Sequence, residues 1–336
     1  MNKKKSAVVP LLLTLLVGVM GGGVYQVVRL YNQPMAESLT LPTVESKTVA
    51  LPAVQANAGL QAATSTAKPE GVCGNTGTMM LLFTGADYSK GVWPLGADSV
   101  RLIKVDFDKE RVVVVSFPRD LVIDASGGAP ENQGDQRLGV TYYYEQLATE
   151  GDDKAKILAG TQVIATELLE NFAVQPEHYF TLQFNSLEDL FAAVGDVEID
   201  NPTAFTSDYG VIFPQGKQTL TPELAAEFVR TSEPNYEEGR LARQDLFLKA
   251  LKAKVLSAGI IPQVPALLEQ FDEVITTDLS PSQLVSLACM VDKVKDNKID
   301  YYQILGDKLV TPGADLALLP KTDEIKKYLD QVYKTK

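Results

Sequence analysis

The sequence predicts an α/β fold: a layered α/β/α domain with a central mixed sheet, preceded by one N-terminal transmembrane helix. Three observations carry that reading. Arg111 to Phe117 reads RVVVVSF, apolar on both strand faces, as a central strand covered on both sides requires. From Thr78 onward strand and helix patterns alternate, with no internal repeat and no second domain boundary, which is the signature of packed α and β layers. Ser6 to Val28 carries no charge, and at about 1.5 Å per residue a helix of that length crosses a bilayer.

Taken in order, residues 1–5 form a cytoplasmic tail and residues 6–29 the anchor. Lysines before the apolar run and a far more acidic chain after it place the domain outside the cell, on a single-pass cell-membrane protein. A cleaved signal peptide is the rival reading; the run is long for one, and no clear A-x-A site follows. Residues 30–74, rich in Ala, Thr, Ser, Pro and Gln over most of their length, read as a disordered extracytoplasmic tether holding the domain off the membrane. The domain itself occupies residues 75–336. Residues 78–85 form a short apolar strand, and 99–108 with 111–117 an antiparallel hairpin turning near Asp108-Lys109. A helix at 153–172 leads to a strand at 178–184. Asn185 caps the next helix, to about Val194, with Glu188 completing a capping box. The short strand VEID follows, then helices at 221–231, 239–258 and 281–294, a strand at 299–304 and a last helix at 322–335.

Composition excludes several functions. The net charge is −12, and because residues 1–30 hold Lys3, Lys4, Lys5, Arg29 and no acid, the remainder carries 27 basic against 43 acidic residues. A domain that acidic is not a nucleic-acid binder. His178 is the only histidine, so a Ser-His-Asp triad or a multi-histidine metal site would depend on that one residue. No P-loop and no G-x-S-x-G occurs. Cys73 and Cys289 are the only cysteines; outside the membrane an even count suggests a bridge, two buried thiols being the alternative.

Charged residues are expected to converge at one sheet edge. The buried strand ends in Phe117-Pro118-Arg119-Asp120, and ligands of open α/β sheets bind beyond the carboxyl ends of such strands. Hairpin pairing sets Asp98 beside Arg119. If the 78–85 strand runs parallel to 111–117, Asp87 joins them, and Gly85 would let the backbone approach a ligand. In the 239–258 helix, at about 100° per residue, Leu241, Phe247, Leu248, Leu251 and Val255 define an apolar stripe. Gln244 falls at its centre, Arg240 inside its arc and Arg243 on its border. Polar groups facing the core need partners, so this helix end lines either an ion-pair network or a polar cleft. Arg230 ends the preceding helix. Arginine forks suit phosphate oxygens, and carboxylates hold a Mg²⁺ that bridges the same oxygens; together they suit a diphosphate.

These residues, in this order, resemble the LytR–CpsA–Psr family of cell-envelope enzymes from about Met79 onward. The family's G-x-D matches Gly85-Ala86-Asp87, its S-D-T matches Ala97-Asp98-Ser99, and its S-I-P-R-D matches Ser116-Phe117-Pro118-Arg119-Asp120. Its R-x-R followed by R-x-x-R-Q matches Arg230-Thr231-Ser232 and Arg240-Leu241-Ala242-Arg243-Gln244. TTDLSPSQLVSLA at 276–288 is similar to its C-terminal stretch. The resemblance implies a Mg²⁺-dependent phosphotransferase that moves a glycopolymer from a polyprenyl-pyrophosphate carrier onto peptidoglycan or another surface glycan, the lipid tail lying in a hydrophobic pocket. Asp87 and Asp98 would serve the metal, and either could act as base. Arg119, Arg230, Arg240 and Arg243 would hold the pyrophosphate and Gln244 orient it. The chain departs from the pattern at Gly96 and Ser232, where the family has arginines, and at Gly139, where it has asparagine, although Arg137 keeps the nearby positive charge; Arg101 could compensate if it faces the cleft. A weakened homologue that binds lipid or glycan, and a polyprenyl-pyrophosphate pyrophosphatase, are the competing functions.

Overall fold

The structure is a computed structural model, and it describes residues 30–41, 72–86, 96–123, 137–184, 187–232, 236–258, 270–271, 274–310 and 318–334. Its centre is a six-stranded mixed sheet. Strand β1 (Thr78–Ala86) pairs antiparallel with β2 (Ala97–Asp106), which pairs antiparallel with β3 (Arg111–Phe117). β4 (His178–Gln183) lies parallel to β1. Further on are β5 (Val197–Asn201), β6 (Phe205–Thr206), β7 (Ile212–Phe213) and β8 (Gly216–Leu220), which form two small two-stranded sheets, β5 with β8 and β6 with β7. β9 (Ile275–Thr277) and β10 (Ile299–Gln303) close the edges of the large sheet, in the order β10-β3-β2-β1-β4-β9.

The valine run explains the centre. Val113 and Val115 sit in one core cluster while Val112 packs against the other. One sheet face is covered by α1 (Leu138–Ala148), α2 (Asp153–Phe172) and, at the end of the chain, α7 (Thr322–Lys334). The other carries α3 (Leu187–Val194), α4 (Pro222–Arg230), α5 (Tyr236–Ala258) and α6 (Pro281–Lys293). Helix starts follow local chemistry. Asp152 accepts from the Ala155 amide, Thr221 from Leu224, and Ser280 with Gln283 forms a capping box, each satisfying amides that the first turn leaves open.

The expected hairpin forms, with Val100 opposite Phe117, Asp106 opposite Arg111 and the turn at 107–110. Because β2 is antiparallel to both neighbours, β1 and β3 run the same way, and their carboxyl ends meet the start of β2. The helix at 138–148 and the small sheets were not anticipated. The Asn185 cap and residues 6–29 lie outside the described residues; among the described residues no helix is long and apolar enough to cross a membrane.

Two expectations are corrected. Residues 30–41, assigned to the tether, lie against the domain: Thr40 and the Gln162 side chain exchange two hydrogen bonds, at 2.8 and 2.6 Å. Ala36, Leu39 and Leu41 pack on the α2/α7 side of the core, which supplies the apolar contact a linker composition does not advertise. Gly85, read as an approach point for a ligand, is instead covered by the Phe184 ring, 2.2 Å from where its Cβ would be. Cys73 and Cys289 do form a disulfide, with Cα atoms 5.6 Å apart, joining the segment ahead of β1 to α6.

Candidate active site

At the carboxyl ends of β1 and β3, the chain assembles six charged side chains, three arginines and three carboxylates, from four separated segments. Arg119, just past β3, donates from Nη1 to Asp98 Oδ1 at 2.5 Å. Its Nε lies 3.3 Å from Glu237 and 3.5 Å from Asp120. Arg240, one turn into α5, meets the same Asp98 oxygen at 3.4 Å and donates to Glu237 Oε1. Arg137, ahead of α1, holds the other side of Asp120 at 3.1 Å. The Asp98–Arg119 proximity is the hairpin register made visible: Val100 faces Phe117, so two residues further out the aspartate meets the arginine.

Electrostatics assign different tasks to the two central arginines. Arg240 is 1% exposed, whereas 28% of the Arg119 side chain is open to solvent, so of these two Arg119 is the one that faces outward. Burial works against its charge, but the fields of Asp98, Glu237 and Asp120 and the Asp98 hydrogen bond outweigh it and push its pKa up. It therefore stays cationic through the physiological range.

The rest of α5 behaves as its periodicity predicts, with one addition. Gln244 donates to the Val229 carbonyl at 3.0 Å, and Arg243 donates to the Thr231 carbonyl at 2.5 Å while stacking over Phe205 at 4.7 Å. These bonds tie the backbone on either side of Arg230, the half-buried last residue of α4, to α5. Arg101 does not face the opening. It is 1% exposed and bound to Asp245 at 2.5 Å and to Gln244 at 3.1 Å, so it does not replace a lost phosphate ligand. Asp87 lies outside the described residues.

Sequence reading missed Glu237 and Asp245. Glu237 stands three residues before Arg240 on the same helix, a spacing that brings two side chains together, and that was the available signal. The departures also acquire a cause. Gly96 has φ +57°, and a Cβ there would lie 2.0 Å from the Gly139 carbonyl oxygen. A side chain at 96 is therefore incompatible with this placement of α1. Ser232 donates its backbone N–H to Asp208 at 2.8 Å, which ties the segment to the β6–β7 turn.

The donor set fits a magnesium ion. Asp98 and Glu237 offer hard carboxylate oxygens, and Glu237 Oε2 is buried without a hydrogen-bond partner. Magnesium is commonly held by one or two carboxylates with water and substrate phosphates completing the shell. Among the described residues no group of three or more metal-ligating side chains occurs.

An apolar groove of about 340 Å³ runs between α5 and α6, lined by Leu248, Leu251, Val255, Leu284, Leu287 and Val291. None of the charged site residues lines it. It begins about 12 Å along the α5 axis from Arg240, at roughly 1.5 Å per residue. Arg243 borders a second hollow of about 220 Å³ with Pro202, Phe205 and Leu246.

A paired arginine–carboxylate cluster at the carboxyl edge of an α/β sheet stands where ligands of such sheets bind. Comparison with known proteins is more specific: the LytR_cpsA_psr family matches residues 47–333, and the chain belongs to it. It is 27% identical over 196 residues to the polyisoprenyl-teichoic acid–peptidoglycan teichoic acid transferase TagU of Enterococcus faecalis, covering 57% of this chain and 58% of that protein. It is 24% identical over 239 residues to TagV of Bacillus subtilis, which bears the same transferase description, covering 68% and 57%. The chain thus spans somewhat over half the length of these relatives. In fold it resembles the crystal structure of B. subtilis TagV, with TM-score 0.59 and 21% identity over 78% of this chain and 99% of that one. A structure described as TagT bound to LI-WTA is similar at TM-score 0.55 and 16% identity, covering 76% and 89%.

Proposed function

We propose that this domain is a Mg²⁺-dependent phosphotransferase that moves a glycopolymer from a polyprenyl-pyrophosphate carrier onto peptidoglycan or another cell-envelope glycan. The observation that carries the reading is the Asp98–Arg119–Arg240–Glu237 cluster, with Arg119 its solvent-facing cation. Family membership supports the reaction class, and the names of the relatives support the kinds of donor and acceptor. The anchor at residues 6–29 and the extracytoplasmic placement belong to the same proposal.

In this reading Arg119 binds the non-bridging oxygens of the diphosphate. Arg240 stays behind it and fixes Asp98 and Glu237, the carboxylates that would hold magnesium. That ion would neutralise diphosphate charge when bound. Arg230 and Arg243 would add positive charge for the diphosphate, and Gln244 holds the Val229 carbonyl and thereby the end of α4. The acceptor hydroxyl oxygen forms a bond to the glycan-side phosphorus, the bridging P–O bond breaks, and polyprenyl phosphate leaves. The hydroxyl proton passes to Asp98 or Asp87. The α5–α6 groove offers apolar surface for a polyprenyl chain.

A second reading, binding without turnover, is favoured by one observation: the Gly96 backbone leaves no room for the arginine the family pattern has there. The test is incubation of the full-length protein in detergent with a polyprenyl-pyrophosphate oligosaccharide, with and without Mg²⁺ and a peptidoglycan acceptor. Mg²⁺-dependent release of polyprenyl phosphate with a glycan–glycan phosphodiester supports transfer. Release without that product, and independent of acceptor, identifies a pyrophosphatase. Saturable binding without release identifies a binder.

A further inference from the structure

The segment at residues 30–41 was expected to be part of a spacer, and its contacts contradict that role. Met35 donates its N–H to the Leu279 carbonyl at 3.3 Å. Tyr179 Oη donates to the Glu37 carbonyl at 3.1 Å. The Thr40–Gln162 pair makes two bonds to α2, and Ala36, Leu39 and Leu41 pack on the core. Immediately before these anchoring residues, Leu30, Tyr31 and Met35 are exposed at 63%, 43% and 40%. Three large hydrophobic side chains thus stand free in one short stretch, next to a bound one.

What covers them is indicated by the chain itself. The charge-free run of Ser6 to Val28 ends two residues before Leu30. A tyrosine that follows a leucine at the end of a membrane span suits the headgroup layer. We propose that residues 30–41 are a clamp: Leu30, Tyr31 and Met35 sit in the bilayer interface, while residues 36–41 bind the domain and seat it directly on the membrane. This rests on the reading that residues 6–29 span the bilayer.

The clamp also sets an orientation. Its contacts lie at the amino end of β4 (Tyr179) and the residues just past β9 (Leu279), because β9 is antiparallel to β4. The arginine cluster lies at the opposite end of the sheet. Tyr179 is level with Leu82, four residues short of Ala86 at the carboxyl end of β1, so the separation along the strands is about 13 Å at 3.3 Å per residue. The arginine site would therefore face away from the bilayer, toward the wall, with the apolar α5–α6 groove between it and the membrane end.

The test uses the full-length protein in liposomes, with a protease site inserted after Gly59. Before cleavage the protein must float with the vesicles; if it does not, the spanning reading fails and the clamp with it. After cleavage the clamp predicts that more than half of the domain still floats, and that Leu39→Asp with Leu41→Asp releases it, at least tenfold faster than wild type. Release of the cut wild-type domain at the rate of the double variant overturns the proposal, because the uncut control has already established the anchor. A fluorophore on Met35→Cys reports the second half: quenching by lipids nitroxide-labelled near the headgroup is expected. A label on Met35→Cys that only aqueous quenchers reach, or that is shielded only when the protein self-associates, overturns the bilayer contact.

Discussion

Replacing Asp245 by Asn should destabilise the domain far more than replacing Arg119. Arg101 is 1% exposed, and its guanidinium is bound to Asp245 Oδ1 at 2.5 Å, Gln244 Oε1 at 3.1 Å and Ser99 Oγ at 3.4 Å. The second Asp245 oxygen accepts from Gln303 Nε2 at 3.0 Å, so the carboxylate links α5, β2 and β10. Removing its charge leaves a buried guanidinium without counter-ion, and breaking such a pair costs about 3–5 kcal/mol. With a urea m-value of about 3 kcal/mol/M, the midpoint should fall by about 1–1.7 M. Urea titration of the 72–336 segment, followed by circular dichroism, measures it. Arg101→Met combined with Asp245→Leu removes both charges and should recover most of the loss, to within about 2 kcal/mol of wild type. An Asp245→Asn midpoint within about 0.3 M of wild type, roughly 1 kcal/mol by the same slope, would refute the reasoning. Arg101 would then have to find its compensation elsewhere.

Other outcomes follow from the same geometry. Arg119→Ala should lower transfer by about two to three orders of magnitude with a urea midpoint close to wild type, and Arg119→Lys should restore only part of it, lacking the planar fork; radiolabelled polymer transfer reads both. Cys289→Ser opens a bridge spanning 216 residues of sequence, a loss of up to about 5 kcal/mol in the chain-entropy model, which thermal melts with and without reductant will show as one common destabilised state. Gly139→Ala places a Cβ 2.6 Å from the Ala97 carbonyl and 2.8 Å from Arg119 Cβ. It should cost about 1–3 kcal/mol as an overpacked contact and lower activity as well, because the Gly139 amide holds the Arg119 carbonyl at 2.8 Å.

What the sequence revealed depended on periodicity. Four valines bounded by Arg111 and Phe117 define a strand with both faces covered, and that strand's register delivers Asp98 to Arg119. The 100° arithmetic turns Arg240 and Gln244 inward correctly. Glu237 and Asp245 were not legible, because an acid in the first turns of a helix is ordinarily a solvated partner of the helix dipole; only the buried arginines facing them make them structural. The helix at 138–148 was missed because Gly139, Thr141 and three tyrosines are weak helix formers. Tertiary burial of Leu138 and Tyr142 decides it. In residues 30–41 a linker composition hid Leu39 and Leu41, whose partners on α2 and α7 are far away in the chain.

The contact between Gly96 and Gly139 restricts how this site can be re-engineered. The two backbones are interlocked, so positions 96 and 139 cannot be varied one at a time. An arginine grafted at 96 would push α1 away and take the Arg119 carbonyl with it. Added positive charge has a cheaper entry at Ser232, which is partly exposed and contributes only its main-chain N–H to Asp208. A Ser232→Arg protein keeps that bond and places a new guanidinium two residues from Arg230. The charge of this sheet edge is therefore most open to change from the α4–α5 connection, and closed to it at the start of β2.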